Sequence, residues 1–275
     1  MKRYNVLAAA SLTGLMMSFT VATRGADFTE VRLSDRVLVL MHAPWQETMT
    51  VIDAGPSLLV VDTWGSLEAA RKAKARIDSI FGKPVRYVVN THHHWDHTFG
   101  NAAFPESEIV GHRFGARDMR ADYADAEERK NYFKRNASTT SYQSLREYIA
   151  DVGKETSEKA FRLFFPNRLS GERDTLRVGD LTVLLYHTPG IHTRSNLTVF
   201  IPELGIVIGR REFVDGTSLK LEPGADPAVI ARVLEEIVAS GKTIRYLIPG
   251  HGRPIESPDL KVALEWLKGT GSKNK

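Results

Sequence analysis

The 275-residue sequence predicts a layered α/β fold, and three features of its pattern carry that expectation. Short apolar stretches at 31–33, 37–41, 49–53 and 58–62 are separated by turn residues such as Pro44, Gly55 and Pro56, and read as four successive strands. A segment of helical period at 66–81 then leads into another apolar run at 85–90, giving strand, helix and strand in crossover order. The same plan returns between 174 and 248, with strand pairs first and a helix after them.

Taken in order, 58–62 is apolar until Asp62, so an acid closes a buried strand. In the helix, Leu67, Ala70, Ala73, Ile77 and Ile80 form one stripe, Arg71, Lys72, Lys74 and Arg76 face outward, and Gly82 stops the turn. A brief helix or turn at 99–104 and a strand at 108–111 follow, ending on His112, which reads as a surface histidine or as one lining a pocket. The charged, strand-poor stretch at about 113–165 reads as a helical insertion, its mixed charges those of a solvated face. Strands at 174–178 and 181–187 turn across Gly179-Asp180, and strands at 197–201 and 205–208 turn around Pro202-Glu203. A helix at 227–239 with Pro227 in its first turn, a strand at 244–248 and a helix at 259–267 complete the chain.

The first 26 residues stand apart. Lys2 and Arg3 precede a mostly apolar run from Val6 to Val21, with small residues at Ala22 and Ala26. This is the pattern of a secretory signal peptide; a single membrane anchor is the alternative, and the run is short and polar-interrupted for that. Residues 27–275 are then expected to form one domain, periplasmic or secreted, without stable membrane insertion. Removing residues 1–26 takes three of the 37 basic residues and none of the 33 acidic ones, so the +4 charge of the full chain nearly vanishes. No nucleic-acid partner is expected from so balanced a surface, and a small-molecule substrate is. The chain has no cysteine, which excludes disulfides and thiolate ligands.

The chemistry concentrates in Thr91-His92-His93-His94-Trp95-Asp96-His97, directly after the strand at 85–90. Imidazole nitrogen and carboxylate oxygen are the donors that borderline divalent ions prefer. In an extended segment His92 and His94 point to one side and His93 to the other, so the first two can share an ion. A turn after Trp95 lets Asp96 and His97 face a second ion. The bland alternative, a hydrophilic loop, would crowd four imidazoles that repel one another on protonation.

His92, His94, Asp96 and His97 after an apolar strand form the pattern His-x-His-x-Asp-His, and the chain thereby resembles the metallo-β-lactamase superfamily. The resemblance implies a four-layer αβ/βα sandwich, two mixed sheets flanked by helices, with the 113–165 insertion as a lid over the site; a plain solvent-facing helical pair is the alternative. It implies that His192, after Pro189-Gly190, completes a triad with His92 and His94, and that His251 in Pro249-Gly250-His251-Gly252 joins Asp96 and His97. Ile191 adds one residue ahead of His192, and His187 reads as structural. The resemblance places Asp62 beneath the site; capping the next helix is its other reading. Where relatives carry a bridging Asp or a Cys, this chain has Arg210, which cannot coordinate a cation. A dinuclear site without a bridge, a weak second site and a mononuclear site all stay open, with Glu212 as a possible substitute and Arg210 as a receptor for a substrate anion.

These residues imply an exported zinc hydrolase with two ions, in which Asp96 orients a metal-activated water toward a carbonyl. The bond is that of a β-lactam, lactone, ester or thioester, with β-lactamase activity the leading specific case. The alternatives are an iron-dependent oxidoreductase of the same fold and a binding protein that has lost turnover.

Overall fold

The protein is described here by a computed structural model covering residues 28–210 and 225–271. Strands β1 (Phe28–Ser34), β2 (Val37–His42), β3 (Glu47–Asp53) and β4 (Leu58–Val61) form an antiparallel meander. It continues in parallel through β5 (Val85–Val89), β6 (Glu108–His112) and β7 (Arg168–Ser170), so the first sheet runs β1 to β7 in sequence order. The second sheet holds β8 (Arg173–Val178), β9 (Leu181–His187), β10 (Leu197–Ile201), β11 (Ile206–Gly209), β12 (Tyr246–Pro249) and β13 (Ile255–Glu256). It repeats the plan: antiparallel from β8 to β11, then a parallel β11–β12 pair.

Three apolar layers follow from strand alternation. Val37, Val39 and Met41 of β2 pack between the sheets against Val183, Leu185 and Val199. Leu38 and Leu40 face the other way, onto α1 (Leu67–Phe81) through Ala70, Ala73 and Ile77. Outside the second sheet, Phe200, Val207 and Leu247 meet α6 (Pro227–Ala239) and α7 (Leu260–Gly271). The result is the expected four-layer α/β sandwich. Helix α1 is capped as its sequence predicts, with Ser66 Oγ accepting from Ala69 N–H and Gly82 left-handed at φ 57°.

The structure adds to or departs from the sequence reading at several points. The first strand begins at Phe28, not residue 31, and the late strand begins at Tyr246, not 244. Strands β7 and β13, of three and two residues, are too short to print a pattern. The insertion holds three helices, α3 (Arg113–Tyr123), α4 (Ala126–Thr139) and α5 (Gln143–Glu155), packed over the first sheet and α1. Finally, His112 is buried at 1% exposure, its ring stacked 3.8 Å from that of His187, so it is not a surface residue. The proposed signal segment and Glu212 lie outside the described residues. Among the described residues no helix is long and apolar enough to cross a membrane.

Candidate metal centre

The loop after β5 is fixed before any ion is considered. Asp62 follows β4 in the left-handed region at φ 59°, a conformation that Asp tolerates better than most residues. Its Oδ1 accepts from Thr91 N–H at 2.8 Å, its Oδ2 accepts from Thr91 Oγ1 at 2.7 Å, and Oδ2 also lies 2.8 Å from His97 Nδ1. Because the Thr91 hydroxyl donates to a carboxylate, its oxygen accepts from His92 Nδ1–H, 3.2 Å away. One buried carboxylate thus sets the ring orientation of His97 directly and of His92 by relay. His94 sits at the N-cap position of the single turn α2 (Trp95–Thr98), which lifts Asp96 and His97 to the level of the preceding histidines.

His192 arrives from the loop after β9. The extra residue is accommodated because Gly190 turns at φ 77° and Ile191 is buried under α6, so His192 swings to the opposite side. His251 follows β12; a Cβ on Gly250 would lie 2.9 Å from His97 Cε1, so the close approach of this turn requires glycine. Trp45 completes the arrangement from the β2–β3 turn, its carbonyl accepting from His251 Nδ1–H at 3.1 Å.

The six predicted ligands therefore form two groups. His92, His94 and His192 bring their ligand atoms within 4.8 Å of one another, as do Asp96, His97 and His251. His94 Nδ1 lies 3.1 Å from His192 Nε2, and His251 Nε2 lies 3.1 Å from Asp96 Oδ2 and 3.2 Å from His97 Nε2. Donors bound at 2.0–2.1 Å around a tetrahedral ion stand about 3.3 Å apart. The donor set fits such an ion, and His92 Nε2, facing the same cleft, is buried with no hydrogen-bond partner, a cost that a ligand there would remove. A third cluster, His112, Glu172 and His187, does not fit. Its two rings lie 11° from parallel, so their in-plane lone pairs cannot meet at one ion.

Charge follows geometry. Burial, then the charges of His97 and His94, hold the His92 imidazole well below its ordinary range. Burial likewise lowers His94 to about 3, while burial and Arg210 lower His192 to about 4. Burial pushes the Asp96 carboxyl up, but His97 and His251 more than offset this and hold it well below the usual carboxylate range. Burial pushes His97 down, but Asp96 and Asp62 override it and hold its imidazolium well above the ordinary value. A cation bound beside His97 would displace the proton shared with Asp96.

Both groups open into one cleft of about 560 Å³. Trp45, Trp95 and Tyr132 of α4 wall one part, and Thr188, Asn196, Thr198 and Arg210 line another. The sequence pattern did not single out Trp45, Thr91 or Asn196, whose roles depend on contacts distant along the chain. Thr91 alone carried a local signal, as the residue between a buried strand and the first ligand.

A family profile for the metallo-beta-lactamase superfamily matches residues 42–208. A linear primary-alkylsulfatase from Pseudomonas sp. (strain ATCC 19151) is 25% identical over 223 residues, or 74% of this chain; the chain spans 41% of that protein's length. Among solved structures, a metallo beta-lactamase from Erythrobacter litoralis with beta-mercaptoethanol in its active site is similar at TM-score 0.59 and 19% identity, covering 90% of this chain and 99% of that one. A metallo-beta-lactamase from Pontibacter korlensis gives 0.60 at 16%, covering 88% and 99%. A stereoselective inverting sec-alkylsulfatase from Pseudomonas sp. gives 0.60 at 14%, covering 87% and 40%.

Proposed function

The chain belongs to the metallo-beta-lactamase superfamily, and from that premise we propose that it is an exported, zinc-dependent hydrolase of a small substrate carrying an anionic group. The observation that carries this reading is the convergence of two ligand triads on one cleft, with His92 Nε2 buried and unpaired. Five imidazoles, one carboxylate and no thiolate suit zinc by donor type. The chemistry a zinc ion supplies when bound is acidification of a water and polarisation of a substrate oxygen.

The chain's own groups do the rest. His92, His94 and His192 would hold the first ion as neutral ligands, kept uncharged by burial. Asp96, held ionised beside His97 and His251, orients the attacking water and accepts its hydrogen bond. Arg210 stands on the cleft wall within electrostatic reach of His192, where its guanidinium pairs with a substrate anion. Trp45, Trp95 and Tyr132 supply aromatic surface in the same cleft for the apolar part of the substrate. A β-lactam, lactone, ester or thioester meets these terms, and the β-lactam is the first case to test. An alkyl sulfate ester is the second reading, favoured by Arg210 and by the alkylsulfatase relative. Export rests on Lys2, Arg3 and the apolar run behind them.

The test is metal content of protein produced without added zinc, alongside turnover of β-lactam, lactone, thioester and alkyl sulfate substrates. Two zinc ions per chain and chelator-sensitive turnover of one class are expected. Stoichiometric iron, or full turnover after metal removal, would overturn the proposal.

A further inference from the structure

The first triad is assembled across two sheets: His92 and His94 follow β5, while His192 follows β9, nearly a hundred residues later. Besides the approach of His192 to His94 itself, two bonds tie these segments together. One is backbone, Leu197 N–H donating to Thr91 C=O at 2.7 Å. The other runs through His93, the histidine of the motif that turns away from the cleft. His93 is 8% exposed, with Nδ1 3.1 Å from Ser195 Oγ and Nε2 3.2 Å from Asp122 Oδ2.

The polarity of this bridge can be worked out. A carboxylate only accepts, so in the neutral ring Nε2–H donates to Asp122, which leaves Nδ1 to accept from the Ser195 hydroxyl. Ser195 lies in the loop that carries His192, and that loop is closed by its own bonds. Thr193 N–H and Oγ1 donate to Asn196 Oδ1, Gly190 N–H donates to Thr193 C=O, and Ser195 Oγ stands 3.1 Å from Thr193 Oγ1.

On its other side His93 reaches the lid. Gly115, Asp118 and Asp122 share one face of α3, at helical spacing. Asp118 pairs with Arg194, and a Cβ on Gly115 would lie 3.3 Å from Ser195 Cβ. That helix face is therefore seated on the His192 loop, with His93 between them.

We infer that His93 is a positioning residue with two separable contacts: through Ser195 it holds His192 in register with His92 and His94, and through Asp122 it seats the lid. The inference rests on the proposed ligand role of those three histidines. Its test uses three substitutions that separate the two contacts. His93→Asn places an amide where Nδ1 stands and keeps the Ser195 bond; His93→Gln places one where Nε2 stands and keeps the Asp122 bond; His93→Ala keeps neither.

Zinc itself is the probe, with chelator competition counting the two ions separately and limited proteolysis of the metal-free protein reporting the lid. For His93→Ala, one zinc equivalent is expected to loosen about 10–100-fold, the other to stay unchanged, and cleavage within α3–α5 to speed up. The Asn variant restores zinc retention without lid protection, and the Gln variant does the reverse. Should His93→Ala not fold, Ser195→Ala removes the His93 contact on the loop side, with the Thr193 Oγ1 contact, while sparing Asp122, and must loosen the same single equivalent without lid cleavage. Two equivalents held at wild-type strength in His93→Ala, or three variants shifting both readouts together in step with thermal stability, would overturn the inference. A wild-type protein that retains no zinc would instead bring down the metal reading beneath it.

Discussion

Five of the nine histidines turn a ring nitrogen into the cleft, and four are packed away from it. In the cleft set, His92, His97 and His251 each have Nδ1 engaged by a protein acceptor and Nε2 left to the cleft. In the packed set the rings are spent on the fold. His187 places Nδ1 against Glu172 and Nε2 against the Arg194 carbonyl, His93 bridges Ser195 and Asp122, and His42 stacks on Trp64. The two sets are opposite in use. His187 and His93 bind the protein through both ring nitrogens, while His42 and His112 are held by ring stacking with one nitrogen buried and unpaired. The cleft rings converge on a shared space. Asp62 does most to orient the cleft set.

Asp62→Ala is therefore the largest perturbation expected. It removes the acceptor for His97 Nδ1–H and ends the Thr91 relay to His92, so each triad loses one oriented ligand. Both ions should bind about 10–100-fold more weakly, since that is the usual effect of losing a carboxylate behind a ligand histidine. The metal-free protein should lose about 2–4 kcal/mol in denaturant unfolding, because buried donors are left unpaired. Thr91→Val sharpens the contrast by cutting only the relay to His92, so one equivalent weakens. If Asp62→Ala loosened a single ion, the shared role assigned to that carboxylate would be wrong.

His251→Ala should act on one triad with little effect on folding. The ring is 30% exposed and its hydrogen-bond partners are the Trp45 carbonyl, Asp96 and His97. The protein should retain one zinc instead of two, and metal-free stability should move by only about 0.5 kcal/mol, as at an exposed position. Elemental analysis after dialysis with denaturant titration checks both halves. Loss of both ions would show that the triads are not independent.

The same contrast explains what the sequence could and could not convey. The motif from His92 to His97 is contiguous, and its alternation separates His93 from its neighbours before any coordinates exist. The four layers are legible too, because strands buried on both faces, such as Val37–His42, are apolar up to their last residue. Asp62 is visible locally as an acid ending a strand, and the resemblance puts it beneath the site; its partners, 29 and 35 residues onward, are not legible from the pattern. Thr91, Trp45 and Asn196 act through contacts made when separate loops meet, which no local period encodes. His112 was misread for the same reason: a residue at a strand's end is buried or exposed according to what lands on it. Here that is His187, brought by a strand of the other sheet.

That misread residue supplies the smallest and most specific prediction. Burial, then the charge of His187, lowers the His112 imidazole to about 4, with Glu172 and Asp118 opposing and Arg113 reinforcing the shift. An unfolded histidine takes up its proton near pH 6.5. Between about 6.5 and 4 the unfolded chain thus binds a proton that folded His112 refuses, so stability rises with pH across that window. The contribution is whole above about 6.5 and is lost as pH falls toward 4. His112→Asn removes the titrating ring while keeping an acceptor for the Phe114 N–H that Nδ1 now caps. The variant should start slightly less stable at pH 7.5, having lost the stack on His187, yet lose less stability on acidification. Unfolding midpoints of the metal-free protein at half-unit steps from pH 7.5 to 4.5 give the comparison, and His94 and His192 titrate alike in both proteins. A wild-type acid slope in His112→Asn would mean that the buried ring takes up its proton as readily folded as unfolded, and the stacked pair would then contribute packing alone.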